Sequence, residues 1–358
     1  MYSFDFLVLP TINVVNMINK EEKSMRKPKK LLNDPNNVRQ EVMQGLVYAY
    51  NGKLTAIADY CAVYGNHISN DQVVVISGGG SGHEPTFAGF IGEGGIDGCA
   101  LGEVFTSPSP DQIIELTKAT EKGNGVLFLY GNYSGDGMNF DISAEILAEE
   151  NIVTKTIRAT DDIASAPLSK LSDRRGVAGI MFLYKIAGAA SQFEKYNLEN
   201  LYQVVAKANA NVRTIGVALD GCALPQSNNF NFELDENEIE IGIGIHGEAG
   251  LRRQAMTSSD EVVKEMIDRL CDDLPFQTGD RVCVLINNLG ALSNTELLVI
   301  TRKVGIELNN RGIVSHDIAV GHFCTSLEMS GFSITLMKLD DELQHLYDLP
   351  CQTLGWRK

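Results

Sequence analysis

No part of this 358-residue chain holds the roughly 18 continuous apolar residues that a membrane-spanning helix requires, so membrane insertion is excluded on pattern. Paired cysteines are missing too. Cys61, Cys99, Cys222, Cys271, Cys283, Cys324 and Cys351 stand singly, with no CxxC among them. An odd count in apolar surroundings points to reduced thiols and excludes a disulfide framework, and each reads as a small core hydrophobe before it reads as a nucleophile. Basic charge is also scarce: 30 Lys and Arg face 46 Asp and Glu, a formal net charge of −16. That field repels nucleic acid and anionic membranes but suits a neutral substrate or a protein partner with a basic face. The apolar start Phe6 to Pro10 has no Lys or Arg before it and is interrupted by Pro10 and Asn13, unlike a signal peptide. Residues Met1 to Ser24 read as a weakly structured extension, with Met25 an alternative start. There is no internal repeat and no low-complexity segment. A cytoplasmic globular protein is expected, long enough for two domains.

What is present is alternation. Asp34 and Pro35 read as cap and first turn of a helix over VRQEVMQGLVYAY. QVVVIS (Gln72 to Ser77) reads as a buried strand entering a glycine loop. A helix follows at Pro110 to Thr120, a strand at Gly125 to Gly131, a helix at Asn139 to Glu150 and a strand at Val153 to Ala159. Two helices, Gly176 to Phe193 and Leu198 to Ala210, complete this half, the first nearly apolar all round and hence buried. Such β-α-β order predicts a mainly parallel, helix-flanked sheet. From Val212 the character changes: VRTIGVAL, NFNFELD and EIEIGIGI read as three strands with little helix between them, hence mixed or antiparallel pairing. A helix at Asp260 to Cys271, the strand RVCVLINN, a helix with the Ser293/Glu296 capping box and the strand GFSITLMKL follow. The fold class expected is α/β in two domains, 25–210 and 211–358, with the last 20 or so residues returning to the first domain.

Three glycine-rich segments carry candidate chemistry. In EIEIGIGIHGEAG, alternating Ile241, Ile243 and Ile245 predict a strand that delivers His246 between Gly244 and Gly247, where nothing covers its ring. In SGGGSGHEP (Ser77 to Pro85), the glycines either form a tight turn or offer backbone N–H groups to an oxyanion, and His83 stands beside them. The segment lacks the GK[ST] of a Walker loop, and Glu84-Pro85 stands where a dinucleotide-binding helix would open. In GNYSGDGMNFD, Asp136 follows the end of a strand. There it serves either as a helix cap or as a general base, since open α/β sheets bind ligands beyond their strand ends. In FTSPSPD, Ser109 or Asp111 caps a helix, and Thr106 and Ser107 are placed to face a pocket. His246 has no HxH or HxxxH companion, which argues against a metal site. His67, His316, His322 and His345 have no motif context. Two histidines and an aspartate on glycine-rich loops fit acid/base or nucleophilic chemistry on a small polar ligand.

The series SGGGSGHEP, GEVFTSPSPDQI, NYSGD, DRRGVAGI, KIAGAA, EIEIGIGIHGE and TSLEMSGFSITLMKLDDEL resembles, in this order, the substrate-binding K subunit of dihydroxyacetone kinases, from about Lys29 to Gln352. The resemblance implies that His246 bonds covalently to the ketone carbon of a short ketose as a hemiaminal. It implies that His83 and Asp136 contact the substrate hydroxyls and help deprotonate the one phosphorylated, with Gly80 and Ser81 in the same pocket-forming loop. It also implies that this chain binds no cofactor itself. A separate nucleotide-binding L subunit would carry ATP or ADP and Mg²⁺, or a phosphotransferase relay would supply the phosphoryl group, and the chain would form a homodimer. One departure stands out. Dihydroxyacetone-specific members carry a ligand-reaching lysine before this motif, whereas here the residue is Gly131, which would open space for a larger ketose such as erythrulose. Ala249, where relatives have proline, is a milder change. A rival reading is a non-kinase sensor, a ketose-binding coactivator of a transcription regulator. Retention of His83 and Asp136 favours the kinase over it. A lipid-binding protein of similar arrangement fits poorly, lacking the histidine of HGE.

Overall fold

The computed structural model describes residues 28–358 apart from residue 228, so the expected extension Met1 to Ser24, and Met25, lie outside the described residues. The first sheet has six strands. They are β1 (Leu54–Ile57), β2 (Ala62–Gly65), β3 (Val74–Ser81), β4 (Gly98–Val104), β5 (Val126–Gly131) and β6 (Thr154–Ala159), in the order β1-β2-β4-β3-β5-β6. β4, β3, β5 and β6 run parallel, and the β1–β2 hairpin adds an antiparallel edge.

The alternation of buried residues explains the layering. Val75 of β3 and Leu127 and Leu129 of β5 face one core with α4 (Ile180–Gln192) and α5 (Leu198–Ala210). Val74, Ile76, Phe128 and Tyr130 face the other, with α2 (Pro110–Thr120) and α3 (Ser134–Glu149). Both faces being covered by helices is what an all-apolar parallel strand requires. Every residue from Ile180 to Ser191 is buried, as its all-round apolar pattern predicts. The exception in polarity, Lys185, extends its ammonium to the carbonyl of Leu346 at 2.8 Å, and burial lowers its pKa to about 8. Asp161 accepts from the backbone N–H groups of Val177 (3.0 Å) and Gly179 (2.7 Å), satisfying donors at the start of α4.

The second sheet contains β7 (Val212–Ala218), β8 (Glu238–Ile241), β9 (Arg252–Ala255), β10 (Arg281–Asn288), β11 (Val314–Gly321) and β12 (Gly331–Leu339) in the order β11-β10-β12-β7-β8-β9. Only the β10–β11 pair is parallel. Val282, Val284 and Ile286 of β10 pack on α6 (Ser259–Asp273) and α7 (Asn294–Asn310), while Cys283 and Leu285 join the core of the first sheet's α4–α5 side. The chain ends by returning to that side: α8 (Asp341–Asp348) packs on α4, Gln352 pairs with Glu93, and the Trp356 ring meets Phe182.

Several expected elements differ. The helix α1 (Val38–Ala49) starts three residues after Pro35; Asp34 instead accepts from the Asn36 N–H at 2.9 Å, closing a turn ahead of it. The strand entering the first glycine segment does not stop at Ser77 but carries Gly78 to Ser81 in its ladder with β4. NFNFELD forms no strand; its β pairing is limited to one bridge between Phe230 and Ala223. β8 ends at Ile241, because Gly242 adopts φ +87° and turns the chain, so His246 sits in a turn although Ile243 and Ile245 remain buried. α3 begins at Ser134, which places Asp136 inside its first turn. No helix among the described residues is long and apolar enough to cross a membrane.

Candidate functional site

The C-terminal ends of β3 and β5 open toward the turn that follows β8, and one cavity there is lined by Gly80, His83, Gly131, Tyr133, Asp136 and His246. Parallel strands leave their ligand crevice at this end. The glycines of β3 permit a close approach. A side chain at Gly80 would strike the backbone of Thr106 at 2.6 Å, so its absence lets the Phe105–Thr106 turn press on the strand. Phe105 (φ +57°), Phe87 (φ +64°) and Leu327 (φ +55°) all hold left-handed backbones around His83. Such strain in non-glycine residues is retained where packing over-determines it, as at ligand sites.

His83 is buried, with its ring stacked on Phe105 at 4.7 Å. Its Nδ1 lies 2.7 Å from the carbonyl oxygen of Thr325, and its Nε2 lies 3.1 Å from Nε2 of His246. Burial, helped by the neighbouring His246, pushes the His83 pKa down to about 3. His246 is held from behind. Its Nδ1 donates to Oε1 of Glu248 at 3.0 Å, its backbone N–H to Oε2 of the same carboxylate at 2.9 Å, and its carbonyl accepts from Asn231 at 2.8 Å. Glu248 folds back this far because Gly244 has no side chain; a Cβ there would meet Oε2 at 2.1 Å. Burial raises the Glu248 pKa, but the hydrogen bond and charge of His246 and the nearby Arg175 outweigh it and hold the carboxyl at about 2. Arg175, paired with Asp162 at 2.8 Å, lies 3.7 Å from Glu248.

Asp136 is buried at the cavity wall, and its Oδ1 has no hydrogen-bond partner. Burial raises its pKa to about 6, with a hydrogen bond from Ser107 pulling the other way. A carboxylate with a free lone pair and a pKa near neutrality is suited to accepting a proton.

The structure thus gathers His83, His246, Asp136, Gly80 and Gly131, elements that lie up to 166 positions apart in sequence. Ser107 reaches the cavity only through Asp136. Ser81 is turned inward, donating to the Gly102 carbonyl at 2.9 Å, and Thr106 is exposed with its hydroxyl on the Val104 carbonyl. The space beside Gly131 is not open, because the Tyr133 ring occupies it: a Cβ at Gly131 would lie 3.1 Å from that ring. Ser109, not Asp111, caps α2, in a capping box with Gln112. His67, His316 and His345 bond to Asp97, Asp348 and Glu194, away from the cavity. Glu248, Tyr133, Phe105 and Thr325 were given no role from the sequence, although all four stand inside the motifs HGE, NYSGD, GEVFTSPSPDQI and TSLEMSGFSITLMKLDDEL. Among the described residues no group of three or more His, Cys, Asp or Glu could hold a metal ion.

Residues 44–355 match the Dak1 domain. The chain is 40% identical over 328 residues to PTS-dependent dihydroxyacetone kinase 2, dihydroxyacetone-binding subunit DhaK, of Listeria innocua, covering 91% of this chain and 98% of that one. It is 36% identical over 332 residues to the L-erythrulose kinase of Pectobacterium atrosepticum, covering 92% of this chain and 56% of that one. Among solved structures, the dihydroxyacetone kinase operon co-activator Dha-DhaQ superposes with a TM-score of 0.84 at 28% identity, covering 89% of this chain and 98% of that one.

Proposed function

The chain belongs to the Dak1 domain family, and from that premise we propose that it is the ketose-binding subunit of a dihydroxyacetone-type kinase. It is a phosphotransferase subunit that acts only with a separate L subunit bearing the phosphoryl donor. The observation that carries the reading is the meeting, in one cavity, of the His83–His246 pair and the unpartnered carboxylate oxygen of Asp136.

The proton inventory of the pair suits it to carbonyl capture. A carbonyl only accepts, so the Thr325 oxygen requires the proton of neutral His83 to sit on Nδ1, leaving a lone pair on Nε2. Glu248 likewise holds a proton on Nδ1 of His246. Two bare Nε2 lone pairs would repel at 3.1 Å, so one further proton lies between them, carried by His246 and donated to His83. When a ketone enters, that proton passes to His83. Nε2 of His246 then forms the C–N bond, the carbonyl π pair moves to oxygen, and His83 returns the proton there to give the hemiaminal hydroxyl; the substituted ring keeps its positive charge as an imidazolium facing the Glu248 carboxylate. Nδ1–H remains on Glu248 throughout, as the tautomer requires. The cavity, about 20 Å³, admits a water but not a ketose, so capture parts the two imidazoles. Asp136 then accepts the proton of the terminal hydroxyl as that oxygen attacks phosphorus. Tethering converts loose binding of a tiny ligand into fixed orientation and selects ketones over polyols.

Two readings of role follow from the relatives. The structural likeness to the co-activator favours a ketose sensor as the second. The free carboxylate of Asp136 favours the kinase, since a sensor needs capture without base catalysis. Dihydroxyacetone carrying ¹³C at its carbonyl tests the shared step: binding moves the resonance into the sp³ range, and His246→Ala abolishes the move. Adding an L subunit with ATP and Mg²⁺, or with a phosphotransferase relay, then separates the roles. Phosphorylated product supports the kinase, and capture without turnover supports the sensor.

A further inference from the structure

We propose that the phenol hydroxyl of Tyr133 binds a hydroxyl of the captured ketose, which makes Tyr133 a substrate-contacting residue of the site; this rests on the ketose reading above. Its ring lines the same cavity and stands edge-on to His246, with centroids 4.9 Å apart and planes at 87°. Its hydroxyl is buried and has no hydrogen-bond partner. A buried hydroxyl left unpaired costs stability, and native proteins keep such groups where function supplies the missing partner.

The surroundings restrict what that partner is. Arg175, the cation whose charge acts on the phenol, is ion-paired with Asp162 and lies 3.7 Å from Glu248. Burial, together with the charge of Glu248, holds the phenol well above its ordinary pKa, so it remains a neutral O–H. A neutral O–H that both donates and accepts matches a sugar hydroxyl, and a short ketose carries one on each side of its carbonyl. The same ring meets the nucleophile, so a hydrogen bond from its hydroxyl orients the carbonyl carbon over Nε2 of His246. Gly131 makes this placement possible: a Cβ there would lie 3.1 and 3.3 Å from two carbons of the ring.

Tyr133→Phe separates a ligand contact from a structural one, because the two move in opposite senses. Removing an unpaired buried hydroxyl while keeping the ring leaves the ligand-free melting temperature unchanged or higher. Removing a substrate hydrogen bond weakens dihydroxyacetone binding by roughly tenfold. Both are read by calorimetry and by the ¹³C capture signal. Unaltered affinity in Tyr133→Phe, with capture intact in the native chain, overturns the assignment to Tyr133 alone. A fall in melting temperature together with affinity also overturns it, as a packing role. Absence of capture in the native chain sinks the ketose reading itself.

Discussion

Nδ1 of His83 lies 2.7 Å from the carbonyl oxygen of Thr325, a residue 242 positions later in the loop between β11 and β12. His83 follows the first sheet and Thr325 belongs to the second. A loop of one sheet therefore decides which nitrogen of the other sheet's histidine is free to handle protons. The site is complete only when the two halves are docked.

Acid stability should expose this histidine. His83 titrates near pH 3 in the folded chain against about 6.5 unfolded. Between these values the unfolded state binds more protons, so the contribution is fully present above about pH 6.5 and is lost as pH falls toward 3. His83→Gln removes the term. In urea unfolding from pH 7 to pH 4, the variant is expected to lose less stability than the native chain, with a difference of about 2–4 kcal/mol at most. Parallel slopes would mean that the ring is solvated and not a buried neutral base.

Asp136 carries the opposite sign. Its carboxyl titrates near pH 6 when folded and near 3.9 unfolded, so burying it charged costs stability above about pH 6 and nothing below about pH 4. Asp136→Asn is expected to raise stability at pH 7.5 by on the order of 2 kcal/mol, with the gain fading as pH falls through 6 to 4. The same variant should keep ketose capture and lose phosphorylation by about 10²-fold or more. A more stable yet inactive protein is the mark of a group kept for chemistry. Normal turnover would remove Asp136 from the role of base.

These relationships also show where a sequence is readable. The strands RVCVLINN and GFSITLMKL and the helix Pro110 to Thr120 stand where their patterns place them, because apolar spacing and capping residues are local signals. Gly78 to Gly80 were read as loop because glycine punctuates loops; here hydrogen bonds to β4 hold them in a ladder, and the missing side chains admit the Phe87 ring at Gly79 and the Phe105–Thr106 backbone at Gly80. The alternation of NFNFELD suggested a strand, but apolar spacing alone cannot supply a pairing partner. His83, His246 and Asp136 were visible as polar side chains framed by glycine near strand ends, although the fold buries His83 and Asp136 and stacks Phe105 on the His83 ring. Thr325 and Phe105 were not, since their contribution is a backbone carbonyl and a ring face brought in by long-range packing.

A buried charge cluster braces the start of the second sheet. Asp273, at the end of α6, accepts from Arg174 Nη1 at 2.8 Å and from Arg213 Nε at 2.6 Å, and both arginine side chains are almost wholly buried. Removing the shared carboxylate leaves two guanidinium groups without their counter-ion. Asp273→Ala is expected to cost about 3–5 kcal/mol in denaturant unfolding, the range for breaking a buried pair from one side. A loss below about 1 kcal/mol would show that water reaches both arginines.

Substrate size should be governed by the contact between Gly131 and Tyr133. A methyl group at position 131 would meet the ring at 3.1 Å, tighter than ordinary van der Waals contact, so the ring must yield by a few tenths of an ångström. The same ring stands edge-on to His246 and lines the cavity in which the ketose is held, so a shift of the ring alters that space. Gly131→Ala is therefore expected to raise KM for both erythrulose enantiomers more than for dihydroxyacetone, because the fourth carbon needs the space that the ring takes up. A methylene misfit of this kind alters discrimination by about 10-fold, large enough to measure in parallel assays with an L subunit. If triose and tetrose lose equally, the extra carbon points away from Tyr133, and the wall that reads substrate length lies on the Asp136 side of the cavity.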